Sequence, residues 1–280
     1  MRVGPSGSER LCGFDDNGDV RDLSSLGCDL DAMFLSSGRL DEARRLLAGD
    51  ALPRVSLDGE RIGPPLARPG KIVCVGVNYR AHAEETRARE PAEPILFLKA
   101  PNAVIGPNDE ILIPRNSKKT DWEIELAVVI GARARYLDSR AESASVIAGY
   151  SISNDVSERE FQIERGGQWT KGKSCETFNP FGPFLVTKDA IPDPQSIQLR
   201  LAVNGIERQN ASTADMIFPV DQLVWYISQF MELEPGDIVN TGTPSGVALG
   251  DPGQPYLRAG DLVELEAEGL GAHSCRVGQA

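Results

Sequence analysis

Three acidic residues have the types and the spacing of a metal site. Glu123 and Glu125 alternate within residues 121–131, an apolar stretch that is typical of a β-strand. In a strand their side chains would point to one face, about 7 Å apart. Asp155 closely follows another apolar stretch, residues 148–152. We therefore predict that these three acids bind a hard divalent cation through oxygen atoms, Mg²⁺ before Mn²⁺.

The residues after the two glutamates indicate where these acids lie. A Glu-x-Glu pattern is also typical of the solvent-exposed side of a sheet. Here, however, Ala127 and Val129 continue the same face of the strand. An apolar face that ends in two acids predicts carboxylates at the edge of a core. There, unpaired negative charge costs several kcal/mol unless a cation neutralises it.

A histidine and a glutamate have the spacing of a base and its orienting carboxylate. If the chain is helical after Asn78, His82 and Glu85 are three residues apart and can touch. The carboxylate would accept one imidazole N–H and leave the other nitrogen free to take a proton from water. A histidine beside acids is also a common surface residue. The other histidine of the chain, His273, is predicted to be structural.

Two lysines could bring positive charge to such a site. Lys173 ends the glycine-rich segment 165–173, which could form a lid and would place this lysine opposite the ion. Lys99 follows the predicted strand 95–98, and we assign it to substrate binding, with an ordinary surface cation as the alternative. Residues 86–94 are charged and lack an apolar face, so they form either a mobile flap or a solvated loop.

Composition narrows the class of protein. The 280 residues are 41% hydrophobic and carry a net charge of −12, which argues against nucleic acid and anionic membranes as partners. The five cysteines are scattered without a Cys-x-x-Cys pair, so neither a disulfide framework nor a structural zinc site is indicated. The amino terminus has no apolar leader, and no stretch is long enough to span a membrane. We expect a soluble cytoplasmic protein.

The surrounding elements suggest two domains in a mostly β chain. Residues 10–19 predict a strand, a turn and a second strand, and residues 39–48 predict a helix. Prolines and glycines in residues 63–70 mark a linker, so we predict a small domain at 1–68 and a larger one at 69–280.

The larger part is predicted to contain short strands and few helices. A helix that starts at Pro219 would place five apolar residues on one face, namely Val220, Leu223, Val224, Ile227 and Phe230. Two capping boxes predict further short helices, one from Ser139 to Gly149 and one after Ser157. The second would place Arg159 and Gln162 on one face, near the expected ion. The turn 241–246 could hold a carboxylate through its N–H groups and hydroxyls, or be a plain turn.

These motifs, taken together, resemble the fumarylacetoacetate hydrolase family from residue 71 to about residue 250. The resemblance rests on six motifs in unbroken order: Gly-x-Asn-Tyr-x-x-His-x-x-Glu, Phe-Leu-Lys, Asp-Trp-Glu-Ile-Glu-Leu-Ala-Val-Val-Ile-Gly, Gly-Tyr-x-x-x-Asn-Asp-Val-Ser-x-Arg, Lys-Gly-Lys-Ser and Thr-Gly-Thr-Pro-Ser-Gly. It implies an α+β, mostly β fold, with a catalytic mixed β-roll and a small β-rich N-terminal domain. It also implies a Mg²⁺ or Mn²⁺ site and a homodimer.

The resemblance also implies roles for individual positions. By position, the metal ligands are Glu123, Glu125 and Asp155, the water-activating pair is His82 and Glu85, the active-site lysine is Lys173, and the substrate-contacting residues are Arg159, Gln162 and Thr243. Residues 172–186 are similar to members that hydrolyse diketo-deoxy sugar acids or other acylpyruvates. Cys175 and Phe181 stand where those members often carry Ala and Ile.

The expected activity is hydrolysis of the C–C bond of a 2,4-dioxo acid. The substrate's carboxylate and 2-oxo oxygens would chelate the ion, and electrons released on cleavage would collect as an enolate held by Mg²⁺ and Lys173. The same chemistry would serve isomerisation of 2-hydroxyhepta-2,4-diene-1,7-dioate or decarboxylation of oxaloacetate. A protein that binds metal and 2-oxo acid without turnover is the alternative from another class.

Overall fold

The computed structural model describes residues 1–49 and 51–280. Short strands dominate it. Their bounds are β1 Arg2–Val3, β2 Arg10–Phe14, β3 Val20–Asp22, β4 Ile62–Gly63, β5 Ile72–Gly76, β6 Ile95–Lys99, β7 Val104–Ile105, β8 Ile111–Ile113, β9 Thr120–Asp121, β10 Ile124–Ile130, β11 Ile147–Asn154, β12 Ser157–Glu158, β13 Asn179–Thr187, β14 Gln198–Val203, β15 Ile206–Ser212, β16 Ile238–Asn240, β17 Leu262–Ala267 and β18 Gly271–Gln279.

The helices are short and lie between these strands. The α-helices are α1 Ala32–Ser36, α2 Arg39–Leu47, α3 Arg80–Glu85, α4 Ser143–Val146, α5 Thr170–Lys173 and α6 Val220–Ser228. Single 3₁₀ turns cover Ser24–Leu26, Pro101–Ala103, Arg140–Glu142, Lys188–Ala190 and Thr213–Asp215, and a π-helical turn covers Glu160–Glu164. Within the described residues, no helix combines the length and the apolar character needed to cross a membrane.

Two sheets form the larger part of the molecule. One has the strand order β6-β5-β16-β10-β11-β13-β7 and mixes antiparallel pairs with the parallel pairs β5/β16 and β13/β7. The other has the order β15-β14-β17-β18-β8. Apolar residues from both sheets and from α6 form one core, so the sheets curl around a shared interior. The α+β, mostly β class and the mixed β-roll are confirmed.

Strand β10 is buried on both faces, and its two faces meet different parts of the protein. Leu126 and Val128 point into the core between the two large sheets. Ala127 and Val129 point the other way and pack with residues of the amino-terminal region, including Leu11 and Phe34. The face that begins with Glu123 and Glu125 therefore continues into apolar packing, as the sequence predicts.

The amino-terminal region forms its own sheet, with the order β3-β2-β1-β4. It includes the predicted strand-turn-strand at residues 10–19, although the second strand starts at Val20, and the predicted helix is α2. This region shares an apolar cluster with the seven-stranded sheet. The division of the chain into domains at 1–68 and 69–280 stays a prediction.

Three local predictions are wrong. The short helix near Ser139 ends at Val146 rather than at Gly149, because the chain enters β11 at Ile147. The hydroxyl of Ser157 does not cap a helix; it donates to the Asp155 carbonyl oxygen, and residues 157–158 form strand β12. Phe230 lies beyond the end of α6 and is 64% exposed.

Candidate active site

The three acids predicted to bind metal converge at one end of two neighbouring strands. Glu125 lies on β10, opposite Ser153 of β11 in the antiparallel pair. Glu123 precedes β10, Asp155 follows β11, and the Asp155 N–H donates to the Glu123 carbonyl oxygen at 2.9 Å. One carboxylate oxygen from each of the three side chains lies within 4.8 Å of the other two. Because β10 and β11 are antiparallel neighbours, the start of β10 lies beside the end of β11. This pairing brings together residues that are about 30 positions apart in the chain.

Two buried lysines contact these acids from different directions. Lys173 Nζ donates to Glu123 Oε2 at 2.6 Å and to Asp155 Oδ2 at 2.7 Å. Lys99 Nζ donates to Asp155 Oδ1 and, at 3.1 Å, to the Val156 carbonyl oxygen. Asp155 is therefore held between two ammonium groups. The negative carboxylates in turn raise the pKa of Lys173 despite its burial, so this lysine is charged at neutral pH.

Glu123 and Glu125 differ in how their charge is compensated. Although burial opposes ionisation of Glu123, the cations of Lys173 and Arg159 lower its pKa to about 2. Glu125 forms no ion pair among the described residues, and its Oε2 accepts only the Gly242 N–H, at 2.7 Å. Burial and the charges of Asp155 and Glu123 raise the pKa of Glu125 well above its usual range.

A divalent cation fits this arrangement. The donor set is three carboxylates in a buried site, which is the chemistry that Mg²⁺ and Mn²⁺ prefer. An added cation would also compensate the charge of Glu125, which the protein's own side chains leave uncompensated. Glu123, Glu125 and Asp155 are the residues that would hold it.

Arg159 forms a second bridge between buried carboxylates. Its guanidinium donates to Asp121 Oδ2 at 2.8 Å, lies 2.7 Å from Glu123 Oε1 and donates to Gln162 Oε1 at 3.0 Å. These opposite charges raise the pKa of Arg159 although burial opposes it. Asp121 also accepts the N–H groups of Ala248 and Leu249, at 2.8 and 2.9 Å. Arg159 and Gln162 are thus brought together by a π-helical turn rather than by the predicted α-helix.

The predicted base and its partner lie on helix α3. His82 Nδ1 is 3.5 Å from Glu85 Oε2 and has no closer hydrogen-bond partner within the described residues. Glu85 also accepts the Gly246 N–H, at 2.9 Å. This contact connects the helix to the predicted turn 241–246. When Nδ1 carries a proton towards Glu85, Nε2 is the nitrogen that can accept a proton from water.

A cavity of about 270 Å³ connects most of these residues. Its lining includes seven of the predicted site residues: His82, Glu123, Glu125, Arg159, Gln162, Lys173 and Thr243. Thr243 lies at the wall, but its hydroxyl donates to the Ile124 carbonyl oxygen at 2.9 Å and accepts from Gln209 at 2.8 Å. Lys99 is not part of the lining. Its geometry therefore supports the positioning of Asp155 rather than a direct substrate contact.

A larger cavity of about 490 Å³ lies between the amino-terminal region and β13. Its lining is mainly aliphatic and aromatic, with Asp16 and Arg44 as its charged members. It contains no converging set of carboxylates or imidazoles, so the smaller cavity is the candidate active site.

Two buried residues at the site were not singled out from the sequence. Asp121 anchors Arg159, and its position two residues before Glu123 on the same strand pattern is a signal that could have identified it. Asn78 donates to the carbonyl oxygens of Phe218 and Thr241, at 3.1 and 2.7 Å, and so fixes the loop before α3. Only the fold brings its partners, which are distant in sequence, into reach.

Comparisons with known proteins identify the family of the chain. The model of the family "Fumarylacetoacetate (FAA) hydrolase C-terminal" matches residues 71–278. A protein of Burkholderia multivorans named "Putative hydrolase" is 50% identical over 97% of this chain and 95% of its own length.

Two solved structures represent different activities. A probable 2-hydroxyhepta-2,4-diene-1,7-dioate isomerase from Mycobacterium abscessus is 30% identical, with a TM-score of 0.81 over 100% of this chain and 99% of its own. A maleylpyruvate hydrolase from Sphingobium sp. SYK-6, in complex with manganese(II) and pyruvate, is 27% identical, with a TM-score of 0.82 over the whole of both chains. This chain belongs to the fumarylacetoacetate hydrolase family, which includes hydrolases and isomerases.

Proposed function

We propose that this protein is a divalent-cation-dependent hydrolase that cleaves the C3–C4 bond of a 2,4-dioxo acid, with Mg²⁺ or Mn²⁺ as the cation. The observation that carries the proposal is a single cavity lined by Glu123 and Glu125 of the acid cluster, by charged Lys173 and by His82, whose Nδ1 lies 3.5 Å from Glu85. The maleylpyruvate hydrolase with manganese and pyruvate supports it, because pyruvate is the product expected from an acylpyruvate. The reaction would convert the substrate and water into a 2-oxo acid and a carboxylic acid.

The protein's own residues account for the movement of protons and charge. His82 would take a proton from water through Nε2, while Glu85 holds Nδ1. The water oxygen would then attack C4. When the C3–C4 bond breaks, its electron pair moves towards C3 and the 2-oxo oxygen, and C3 later takes up a proton.

Positive charge beside the cavity favours this bond cleavage. The ammonium group of Lys173 is positioned to stabilise the developing charge, because its two carboxylate contacts hold it at the cavity wall. A bound divalent cation would supply further positive charge for the carboxylate and 2-oxo oxygen of the substrate. Arg159 and Gln162, which also line the cavity, would orient the substrate.

Two other enzyme activities would use the same acids and cations of the site. The solved isomerase of the family favours isomerisation of a 2-hydroxydienedioate as a second candidate, and decarboxylation of oxaloacetate is a third. Neither reaction consumes water, so neither requires the pair of His82 and Glu85. That pair is the reason for placing hydrolysis first.

The test compares the purified protein with a His82→Ala variant. With Mg²⁺ or Mn²⁺, the protein should convert acetylpyruvate to pyruvate and acetate, followed by NMR, and chelator should abolish the conversion. His82→Ala should lower kcat by about 100-fold or more while oxalate, which needs only the metal and the cations, still binds in calorimetry. Full hydrolysis by His82→Ala would refute the assigned base. Oxalate binding without turnover of any 2,4-dioxo acid, oxaloacetate or 2-hydroxydienedioate would indicate a non-catalytic binder.

The family resemblance also implies a homodimer, which we propose for this protein. Light scattering on the eluting peak of a size-exclusion column would test it, because a dimer has twice the mass of the 30.3 kDa chain. A cytoplasmic location likewise stays a prediction.

A further inference from the structure

The cations that line the active-site cavity are already engaged at its acidic end. Arg159 lies between Asp121 and Glu123, at 2.8 and 2.7 Å. Lys173 contacts Glu123 at 2.6 Å and its ammonium also reaches Asp155. Both cations therefore face the end of the cavity that would hold a metal and the 2-oxo acid group.

The rest of the cavity wall is apolar. It is formed mainly by Val77, Ala88, Phe97, Ile163, Trp169 and Leu249. Thr86 is a polar exception, but its hydroxyl already donates to the His82 carbonyl oxygen at 2.7 Å. Among the described residues that form this part of the lining, none carries a charged side chain.

The apolar wall starts directly beside the active-site lysine and is tightly packed. Lys173 Nζ lies 5.1 Å from the centre of the Phe97 ring, and Phe97 meets Trp169 edge to face at 5.3 Å. A methyl group added at Gly76 would lie 2.5 Å from Trp169 Cζ3. At about 270 Å³ the cavity is also slightly smaller than the usual range for ligand sites, roughly 300–1,000 Å³. The space beyond the acidic end is therefore short as well as apolar.

Building on the hydrolase proposed above, we infer that the group beyond C4 is a short, uncharged apolar acyl chain. The substrates are then monocarboxylic acylpyruvates rather than diacids or polyhydroxylated sugar acids. A second carboxylate at the far end would lose its hydration without gaining a cation. Most hydroxyl groups of a sugar chain would also face apolar side chains there and lose hydrogen bonds to water. This specificity differs from the dioate and maleylpyruvate in the names of the two solved relatives.

The experiment uses two substrates of equal length that differ only at the terminal carbon. 2,4-Dioxoheptanoate ends in a methyl group, and 2,4-dioxoheptanedioate ends in a carboxylate. With the wild-type protein and Mn²⁺, we expect kcat/KM to be about 100-fold higher for the monoacid. Equal values, or a preference for the diacid, would overturn the inference.

A variant at the cavity mouth provides the matched control. Ile163 lines the cavity and is 47% exposed, so a longer polar side chain can be accommodated there without disturbing the core. Because it removes part of the apolar wall, Ile163→Arg should lower kcat/KM for the monoacid, and it should raise kcat/KM for the diacid about tenfold by supplying a cation. Ile163→Gln, which adds length without charge, should not raise it. A rise with both variants would mean that polarity, rather than the missing cation, sets the specificity.

Failure of the specificity and failure of the hydrolase can be told apart. If neither compound is cleaved although oxalate binds with Mn²⁺, the proposed activity is wrong. The dissociation constants of the two dioxo acids, measured by calorimetry, then decide the inference about the apolar end. Tighter binding of the monoacid by about tenfold or more would support it, and equal or weaker binding would refute it.

Discussion

Two networks of charged residues hold different parts of this molecule, and they differ in how completely their carboxylates are paired. In the amino-terminal region, Arg2 contacts Glu9 at 3.0 Å and Asp29 at 2.8 Å. Arg61 contacts Glu9 at 2.8 Å and Asp109 at 2.6 Å, and Asp109 belongs to the loop before β8. Each carboxylate of this network therefore faces a guanidinium group. The network ties the amino-terminal sheet to the larger part of the protein.

In the cluster of acids at the candidate active site, not every carboxylate faces a cation. Glu123 and Asp155 have cationic partners, but Glu125 has only one backbone N–H among the described residues. A buried carboxylate next to two others raises the free energy of the fold when it is ionised. The comparison indicates that the first network serves stability, whereas the second leaves the Glu125 carboxylate uncompensated, as the proposed cation site requires.

The largest effect on activity should come from replacing Glu125, the carboxylate without a cationic partner, by a neutral residue. Glu125→Gln removes a proposed metal ligand, so we expect kcat/KM for an acylpyruvate to fall by about 1000-fold at saturating Mn²⁺. In chelator, the same substitution should raise the free energy of unfolding by about 1 kcal/mol, because glutamine avoids the cost of burying or protonating a carboxyl group beside two carboxylates. Urea titrations followed by tryptophan fluorescence measure the second quantity. Loss of both activity and stability would show that Glu125 is a structural residue.

A substitution in the amino-terminal network should lower stability and leave activity unchanged. Glu9→Gln leaves Arg2 and Arg61 with one carboxylate each, and the side chain of Glu9 is only 3% exposed. We expect a loss of about 2–3 kcal/mol in the free energy of unfolding, with kcat unchanged within about twofold. Urea titration and steady-state kinetics on the same preparation would check both values. A large fall in kcat would mean that the amino-terminal network also controls the active site.

The sequence predicted the strand-borne part of the site because strands follow a simple rule. Glu123, Glu125, Ala127 and Val129 share a face, since side chains alternate, and the structure shows that face in contact with an apolar cluster. The convergence of Asp155 with them was also predicted, but its physical cause is the antiparallel register of β10 and β11.

Other parts of the site depend on contacts that no local pattern reveals. The Thr241 carbonyl oxygen accepts from Asn78, which is 163 residues away in the chain, so only the parallel pairing of β5 with β16 explains this contact. The capping pattern at Ser157 predicted an α-helix, but the backbone forms strand β12 there and the serine hydroxyl binds the Asp155 carbonyl oxygen. Local propensity was outweighed by the pairing of β12 with β9.

The two lysines that contact Asp155 should have different roles, which substitutions can distinguish. Lys99 lies behind Asp155 and does not line the cavity, whereas Lys173 does. Lys99→Met should therefore weaken Mn²⁺ binding by about 10–100-fold, and excess Mn²⁺ should restore most of kcat. Lys173→Met should lower kcat by a similar factor that excess Mn²⁺ does not restore. If Lys99→Met instead raises KM for the substrate at saturating metal, Lys99 binds substrate directly, as the sequence suggested.

A buried group outside both networks should give an effect on stability that depends on pH. His273 is 2% exposed and its Nε2 lies 2.8 Å from the Gly182 carbonyl oxygen. Burial, partly offset by this hydrogen bond, lowers the pKa of His273 from 6.5 to about 4. Below pH 6.5, His273 therefore binds a proton in the unfolded chain, whereas in the folded protein it does so only near pH 4. Acidification through this range favours unfolding. Linkage gives a loss of about 2 kcal/mol between pH 7 and pH 5 from this residue.

The variant His273→Gln isolates that contribution, because glutamine keeps a donor for Gly182 and does not titrate. Its free energy of unfolding, from urea titrations at both pH values, should fall by about 2 kcal/mol less than that of the wild type on the same acidification. The metal ligands are unchanged in both proteins, so their titration cancels in the difference. An identical fall in the free energy of unfolding of the two proteins would mean that His273 does not cause the acid sensitivity. The protonation of carboxylates in the two charged networks would then be its source.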